Sequence, residues 1–128
     1  MASSRRGTRR PASRRGWGSA KRTEYRGVTY ASKSEAAYAA HLDLLKKAKR
    51  VLSWEGQVRV PLVVNGKKIC TIVPDFFVLF ADGHSEYHET KGWKSPVWKL
   101  KSKLFAALFP EAVYKVIPAS EALSGNIR

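Results

Sequence analysis

The sequence is poor in cysteine and in acidic residues. Its one cysteine, Cys70, excludes an internal disulfide and a zinc site made of several thiolates, and it fits a reducing compartment. No apolar run approaches the length of a membrane-spanning helix, and no hydrophobic stretch follows the N-terminal arginines, so we expect neither a membrane protein nor a secretory signal. Only 10 acidic residues oppose 24 lysines and arginines, giving a net charge of +14 in 128 residues. This imbalance predicts a polyanionic partner, with nucleic acid ahead of an acidic membrane surface.

Much of the positive charge lies at the N-terminus. Residues 1–22 contain eight basic side chains, no acidic one and almost no aliphatic ones. We predict a disordered arm, because such a segment cannot bury enough apolar surface to offset the entropy of ordering. Its expected role is sequence-independent contact with phosphates, although a solubilising tail or a targeting peptide stays open. The arginines expected to contact DNA are Arg5, Arg6, Arg9, Arg10, Arg14 and Arg15.

The rest of the chain has the length of one domain and begins with a helical pattern. Residues 23–31 are predicted to be extended with a turn at Gly27, and Ser32 and Glu35 have the spacing of a capping box. The helix is expected to end near Arg50. Its lysines and arginine near that end either complement the helix dipole or contact nucleic acid. The predicted buried face comprises Ala37, Tyr38, His41, Leu42, Leu44, Leu45 and Ala48.

Two hairpins, a second helix and a last strand follow. Asn65-Gly66 and Asp82-Gly83 each separate two runs with strand character, residues 58–64 and 67–73 and then residues 76–81 and 84–91. Ser95-Pro96 predicts a helix start, and residues 113–117 predict a strand parallel to an earlier one. Residues 119–128 are expected to be a loose C-terminal tail. The expected fold is α/β, with a central mixed sheet flanked by helices. The buried face of the second helix is predicted to comprise Val97, Leu100, Leu104, Ala107 and Leu108.

Two carboxylates and one amine are expected to meet at one end of this sheet. Glu89 and Lys91 share a strand face, and the hairpin at Asp82-Gly83 brings Asp75 alongside them. Carboxylates at close range need a cation, and hard oxygen ligands suit Mg²⁺ or Mn²⁺. Such an ion activates water for phosphodiester hydrolysis, and a lysine beside it neutralises developing charge. The pattern therefore predicts a metal-dependent phosphodiesterase, although Asp75 as a turn acid and Glu89 with Lys91 as a surface pair stay open.

At these residues the sequence resembles the PD-(D/E)XK nuclease superfamily. The matching residues are Pro74-Asp75, Glu89-Thr90-Lys91 and the upstream helical glutamate Glu35. The sequence also resembles a small phage-encoded nuclease family and the endonuclease I type of Holliday-junction resolvase. The segments that carry this second resemblance are GVTYASKSEAAYAAHL, VPDF, HETKGW and WKLKSKLF. The resemblance implies a restriction-endonuclease-like αβββαβ core and places the nuclease domain at residues 23–118. The arginine arm has no counterpart in it.

The resemblance also implies roles for individual residues. Asp75 and Glu89, with the carbonyl of Thr90, would hold the metal, and Lys91 would be the catalytic lysine. Glu35 would complete the acidic cluster, unless it acts only in the capping box. Two further candidates are Glu55, at the place of another acid in the resolvases, and Trp93, which either stacks on DNA or covers the sheet edge. Lys94, Lys99 and Lys103 either hold the DNA backbone or form a solvated helix face.

The expected function is that of a Mg²⁺-dependent DNA endonuclease of phage origin that resolves Holliday junctions or other branched DNA in the bacterial cytoplasm. Junction resolution requires two cuts across a symmetric substrate, so the resemblance also implies a homodimer. Two alternatives stay open. One is a less selective nuclease that cuts flaps, single strands or duplex, and the other is a basic nucleic-acid-binding module without catalysis.

Overall fold

The computed structural model describes residues 22–91 and 94–124, which form a mixed α/β fold. The predicted contacts of the arginine arm up to Arg15, and that of Trp93, lie outside the described residues. The elements in chain order are β1 (Thr23–Tyr25), β2 (Val28–Tyr30), α1 (Lys33–Lys47), β3 (Val51–Gly56), β4 (Val60–Val64), β5 (Lys67–Ile72), β6 (Phe76–Phe80), β7 (Ser85–Lys91), α2 (Pro96–Leu108), β8 (Tyr114–Pro118) and α3 (Ala119–Ser124).

A central four-stranded mixed sheet organises the fold. Its strand order is β3-β6-β7-β8, in which β3, β6 and β7 pair antiparallel and β8 pairs parallel to β7. The prediction of a central mixed sheet with helices, and of a parallel last strand, is confirmed. Strand β3 was not predicted, because Val51 is its only fully buried residue and its sequence has no apolar alternation.

Both predicted hairpins are confirmed, but the second turn is longer than predicted: the Phe80 amide donates to the His84 carbonyl, and only Gly83 of the Asp82-Gly83 pair has a positive φ, 98°. Asn65 and Gly66 have φ angles of 51° and 78°, the pair of positive values that a two-residue turn between twisted strands requires. Strands β4 and β5 form a separate two-stranded sheet, so they do not extend the central one. Their buried residues Leu62 and Ile72 pack with Phe105 of α2 in a small core of their own.

Helix α1 begins as predicted but ends earlier and is rotated. The Ser32 hydroxyl accepts a hydrogen bond from the Glu35 amide at 3.1 Å, which confirms the N-cap. The helix ends at Lys47 instead of near Arg50, because Lys49 adopts a left-handed φ of 65° and the Arg50 amide bonds back to the Leu45 carbonyl.

The predicted buried face of α1 is partly wrong. Leu44 is 65% exposed, Ala48 is exposed at the C-cap, and Ala37 and His41 are only half-buried. Tyr38, Ala39 and Leu42 are buried together with Glu35. The broad apolar face left the rotation of the helix undetermined. In the structure, only one edge of the apolar face of α1 packs on the sheet, where Tyr38 contacts Phe76 and His88.

The predicted buried face of α2 is confirmed for Leu104 and Leu108 and wrong for the other three residues. Val97 and Leu100 are 63% and 68% exposed and Ala107 is exposed, while Phe105 is the fully buried residue and Leu104 and Leu108 pack beside it. Hydrogen bonds from Trp98 to Glu89 and from Lys101 to the Thr71 carbonyl turn the other side of the helix inward. The N-cap at Ser95 and the exposure of Lys99 and Lys103 are confirmed.

The predicted loose tail is wrong for residues 119–124, which form helix α3, whereas residues 125–128 lie outside the description. Ala122 is 2% exposed and belongs to the main core together with α1 residues such as Ala39 and Leu42. A six-residue helix is too short to show a periodic pattern in sequence.

Within the described ranges, none of the helices has both the length and the hydropathy needed to span a bilayer.

Candidate active site

The predicted acidic residues converge at one end of the central sheet. The β6–β7 register pairs Phe76 with His88, so its continuation places Asp75 opposite Glu89. Glu35 comes from the first turn of α1, and its pKa is affected by the charges of Asp75, Glu89 and Lys91. Four side chains from three separate parts of the sequence thus form one cluster of interacting charges, as the sequence predicted.

Glu89 is held on both carboxylate oxygens. It is 4% exposed, and its Oε1 accepts hydrogen bonds from the Trp98 indole at 3.1 Å and from the Tyr114 hydroxyl. Its Oε2 lies 3.0 Å from the Lys91 ammonium. Because both oxygens are engaged, the orientation of this carboxylate is fixed by the surrounding side chains.

Lys91 is positioned between this carboxylate and an aromatic ring. Its Nζ lies 5.3 Å from the centre of the Trp98 ring, within the range of a cation–π interaction. The side chain is 23% exposed, so the ammonium is shielded but still reaches solvent. Trp98 therefore contacts both members of the Glu89–Lys91 pair.

Asp75 is bound to the strand that carries Glu89. Its Oδ2 accepts hydrogen bonds from the Thr90 amide at 2.9 Å and from the Thr90 hydroxyl at 3.1 Å. Burial raises the pKa of the Asp75 carboxyl to about 6; the Thr90 bonds oppose this shift and the Glu89 charge adds to it. The Thr90 contacts involve its amide and hydroxyl, and metal ligation by its carbonyl stays a prediction.

Glu35 is directed into the cluster. It is 6% exposed, and its Oε2 accepts a hydrogen bond of 2.8 Å from the Gln57 side chain. Burial and then the Asp75 charge raise the pKa of Glu35 to about 7, while the Gln57 bond acts in the opposite direction. Its amide serves the N-cap and its carboxylate contacts Gln57, so Glu35 combines the capping position with a place in the acidic cluster.

Three residues around the cluster were not singled out as site residues by the sequence. Gln57 follows β3 with a left-handed φ of 56°, and its amide donates to the Asp75 carbonyl at 2.9 Å. Left-handed backbone at a residue other than glycine is strained and is often found at functional sites. Trp98 and Tyr114 reach Glu89 from α2 and β8. Only the packing of α2 and β8 against β7 brings them there, and no sequence motif marks it.

The remaining predicted site residues lie apart from the cluster. Glu55 is exposed on β3, and in the described part of the chain it has no hydrogen bond or ion pair with the acidic residues. Lys94, Lys99 and Lys103 are exposed before and along α2, where a solvated face and a DNA contact are both compatible with their placement.

The cluster contains carboxylate oxygens that could be metal ligands, but their present positions do not form a complete coordination site. Among the residues that the structure describes, no three His, Cys, Asp or Glu side chains are grouped so that they could hold a metal ion as they stand. The raised pKa values of Glu35 and Asp75 nevertheless show that negative charge is unfavourable there. A divalent cation would relieve it, and buried carboxylate oxygens are the donors that Mg²⁺ and Mn²⁺ prefer. The donor set therefore fits the ion in chemistry.

A second polar network lies on the other face of β7. The two histidines His84 and His88 bond opposite oxygens of Glu86, at 2.9 and 2.7 Å, and His88 also contacts the Tyr38 hydroxyl at 2.7 Å. Burial lowers the pKa of His88, which favours the neutral imidazole. Burial also acts to raise the pKa of Glu86, but the bonds from both histidines bring it below its ordinary value. This network joins α1 to the sheet and does not contact Glu89.

Comparison with known proteins gives one match. The model of the family described as "Protein of unknown function (DUF1064)" matches residues 15–124, which is most of the chain. No curated protein and no solved structure matches the sequence significantly.

Proposed function

Because this chain belongs to the DUF1064 family, whose function is described only as unknown, we propose from the site itself that the protein is a metal-dependent DNA endonuclease of the PD-(D/E)XK type. The observation that carries the proposal is the convergence of Asp75, Glu89 and Lys91 on adjacent strands, with Glu35 of α1 beside them. A buried acidic cluster in a strongly basic chain combines attraction of a polyanion with a site for a cation.

The order of elements also supports this proposal. Once the separate β4–β5 hairpin is set aside, α1, β3, β6, β7, α2 and β8 follow one another as αβββαβ with a mixed sheet. This is the order that the resemblance to the restriction-endonuclease-like core implies. In this interpretation the β4–β5 hairpin is an insertion between the first two core strands, packed on α2.

The protein's own groups would act on the substrate in a defined way. Asp75 and Glu89 would hold a Mg²⁺ or Mn²⁺ ion, which supplies an activated water when bound. Lys91, held by Glu89 and Trp98, would orient the attacking water and balance negative charge at the phosphate. Glu35 would complete the acidic cluster beside Asp75, directly or through a water molecule. Tyr114 and Trp98 keep the Glu89 carboxylate in place.

The substrate that we propose is branched DNA, with a Holliday junction as the first candidate, cut by a homodimer. The support is the net charge of +14 and the resemblance to resolvases at the same site residues. The proposed test is a cleavage assay in Mg²⁺ with equal concentrations of a four-way junction and of its linear arms. Preferential cutting of the junction supports a resolvase, and equal cutting indicates a less selective nuclease.

The same assay separates catalysis from binding alone. We expect Asp75→Asn, Glu89→Gln and Lys91→Ala to abolish cleavage while DNA binding persists. A matched control is Glu111→Gln, which removes an exposed carboxylate outside the cluster. If Asp75→Asn leaves every activity unchanged, the protein is a basic nucleic-acid-binding module and the enzymatic proposal is wrong.

A further inference from the structure

An open pocket lies beside α1, away from its acidic first turn. It has a volume of about 820 Å³ and is formed by the β1–β2 hairpin, the C-terminal half of α1 and Trp54 of β3. Asp43 ties these three elements together, because it accepts hydrogen bonds from the Tyr25 hydroxyl at 2.6 Å and from the Trp54 indole at 2.9 Å. The pocket is therefore built from side chains that are held in place.

The pocket lining combines apolar and cationic side chains. Val28 and Leu44 line the pocket together and are 51% and 65% exposed, so their apolar surface is accessible to a ligand. Arg26, Lys46 and Lys47 line the same pocket and are also exposed. Apolar surface next to several cations suits a ligand that has a flat apolar part and a negative charge.

A nucleotide of DNA has both of these properties. Its base can pack on apolar and aromatic side chains, and its phosphates are neutralised by Lys and Arg. Asp43 is the one carboxylate in the lining, and Tyr25, Trp54 and Arg26 already contact it. Cations therefore dominate the pocket, which makes it complementary to a polyanion.

The distance from the acidic cluster also suits this ligand. Glu35 and Asp43 are eight residues apart on α1, which is about 12 Å of helix axis. A B-form strand advances about 3.4 Å per nucleotide, so this distance corresponds to about three or four nucleotides. A strand that runs along α1 from the cluster would reach the level of Asp43 within that number of nucleotides.

We propose that this pocket receives an unpaired nucleotide of the DNA substrate, with its base against Leu44 and Val28 and its flanking phosphates on Arg26, Lys46 and Lys47. The nucleotide must be unpaired, because a base within a duplex is covered by its neighbours and cannot pack into a pocket. The inference rests on the proposed function in that DNA is the substrate. Through this contact, the pocket distinguishes DNA that has branched or single-stranded ends from fully paired duplex DNA.

The test compares the binding of two labelled DNA probes by fluorescence anisotropy in EDTA. One probe is a duplex with a single-stranded extension, and the other is a blunt duplex of the same length. Leu44→Asn should weaken binding of the extended probe about tenfold and that of the blunt duplex no more than about twofold. The matched control is Ile69→Asn, which alters an apolar residue on β5 that is 56% exposed and lies outside the pocket, and it should weaken neither. Thermal unfolding verifies that both variants fold.

The charged rim is tested through the salt dependence of binding to the extended probe. The double variant Lys46→Gln and Lys47→Gln should lower the slope of log K against log salt by roughly 1.5. The control is Lys67→Gln and Lys68→Gln on β5, which changes the same charge at exposed positions outside the pocket. Equal slopes for the two double variants would overturn the placement of phosphates on this rim.

Three results would overturn the proposed base contact. The first is that Leu44→Asn binds the extended probe with wild-type affinity, and the second is that it loses the same affinity for both probes. The third is that the wild-type protein self-associates in sedimentation and Leu44→Asn makes it monomeric. The last result would assign the pocket to a second copy of the chain. Because the binding assay contains no divalent metal, its outcome is independent of whether the chain cleaves DNA.

Discussion

The Tyr114 hydroxyl of β8 donates a hydrogen bond to the Glu89 carboxylate of β7, on the oxygen that does not contact Lys91. The two residues lie 25 positions apart in sequence and meet because β8 pairs parallel to β7. This bond leaves the other carboxylate oxygen directed at the ammonium. The last strand of the sheet therefore takes part in the site by orienting Glu89.

Tyr114→Phe removes only the hydroxyl that holds Glu89. Since groups that orient metal ligands commonly contribute about 10- to 100-fold to metal affinity or activity, we expect a loss in this range. The measurement is the rate of DNA cleavage as a function of Mg²⁺ concentration. Tyr87→Phe is the control, because its ring packs beside Tyr114 while its hydroxyl has no described hydrogen bond. Equal rates for the two variants would contradict the orienting role.

The raised pKa values of Glu35 and Asp75 predict that the metal-free protein loses stability as the pH rises. Their carboxyls move from ordinary values of 4.5 and 3.8 to about 7 and about 6, so the folded state binds protons more tightly than the unfolded chain does. The free energy of unfolding should therefore decrease between about pH 4 and pH 7 and then level off.

Urea unfolding across this pH range in EDTA measures the effect. Glu35→Gln should flatten the decrease, because the amide cannot ionise. Addition of Mg²⁺ should restore stability most clearly above about pH 7, where both carboxyls are ionised. A stability that rises with pH over the same range in the wild-type protein would contradict the buried acidic cluster.

The rotation of α1 predicts opposite results for two leucines that the sequence placed on one face. Leu42 is fully buried and Leu44 is 65% exposed. Leu42→Ala should lower the free energy of unfolding by about 2–5 kcal/mol, because it creates a cavity in the core. Leu44→Ala should change it by no more than about 0.5 kcal/mol. Urea titrations of both variants make the comparison, and similar losses would show that the helix is rotated differently.

The buried contact between Tyr38 and His88 gives a prediction for the second network. Tyr38→Phe removes the hydroxyl that contacts the His88 ring at 2.7 Å and leaves a buried ring nitrogen without this partner. We expect a loss of about 1–3 kcal/mol in unfolding free energy, measured at pH 7. DNA cleavage under conditions where the variant is folded should remain at the wild-type rate, because the network does not contact the acidic cluster. A variant that is folded yet inactive would contradict this separation.

Local sequence signals predicted the parts of the fold that depend on local geometry. Asn65-Gly66 indicates a turn because few residue pairs tolerate two successive positive φ angles, and Gly83 has the positive φ of the second hairpin loop. Ser32 caps α1 through a bond three residues away. The approach of Asp75 to Glu89 follows from the length of one hairpin, so it could be predicted without tertiary information.

The parts that were missed depend on tertiary packing. The rotation of the helices is fixed by contacts such as Tyr38 with Phe76 and Trp98 with Glu89, which the apolar pattern does not encode. Strand β3 has little buried surface, and its pairing with β6 defines it. Gln57 reaches Glu35 only because the chain leaves β3 with a left-handed residue. Without β3 in the prediction, this contact could not be foreseen.

The central claim is that Asp75 and Glu89 hold one divalent cation beside Lys91. A crystal of the protein soaked in Mn²⁺ tests it directly through the anomalous signal of the metal. We expect an anomalous peak within bonding distance of both carboxylates and near the Lys91 ammonium. An electron-density map at saturating Mn²⁺ with no peak between these two side chains would contradict it.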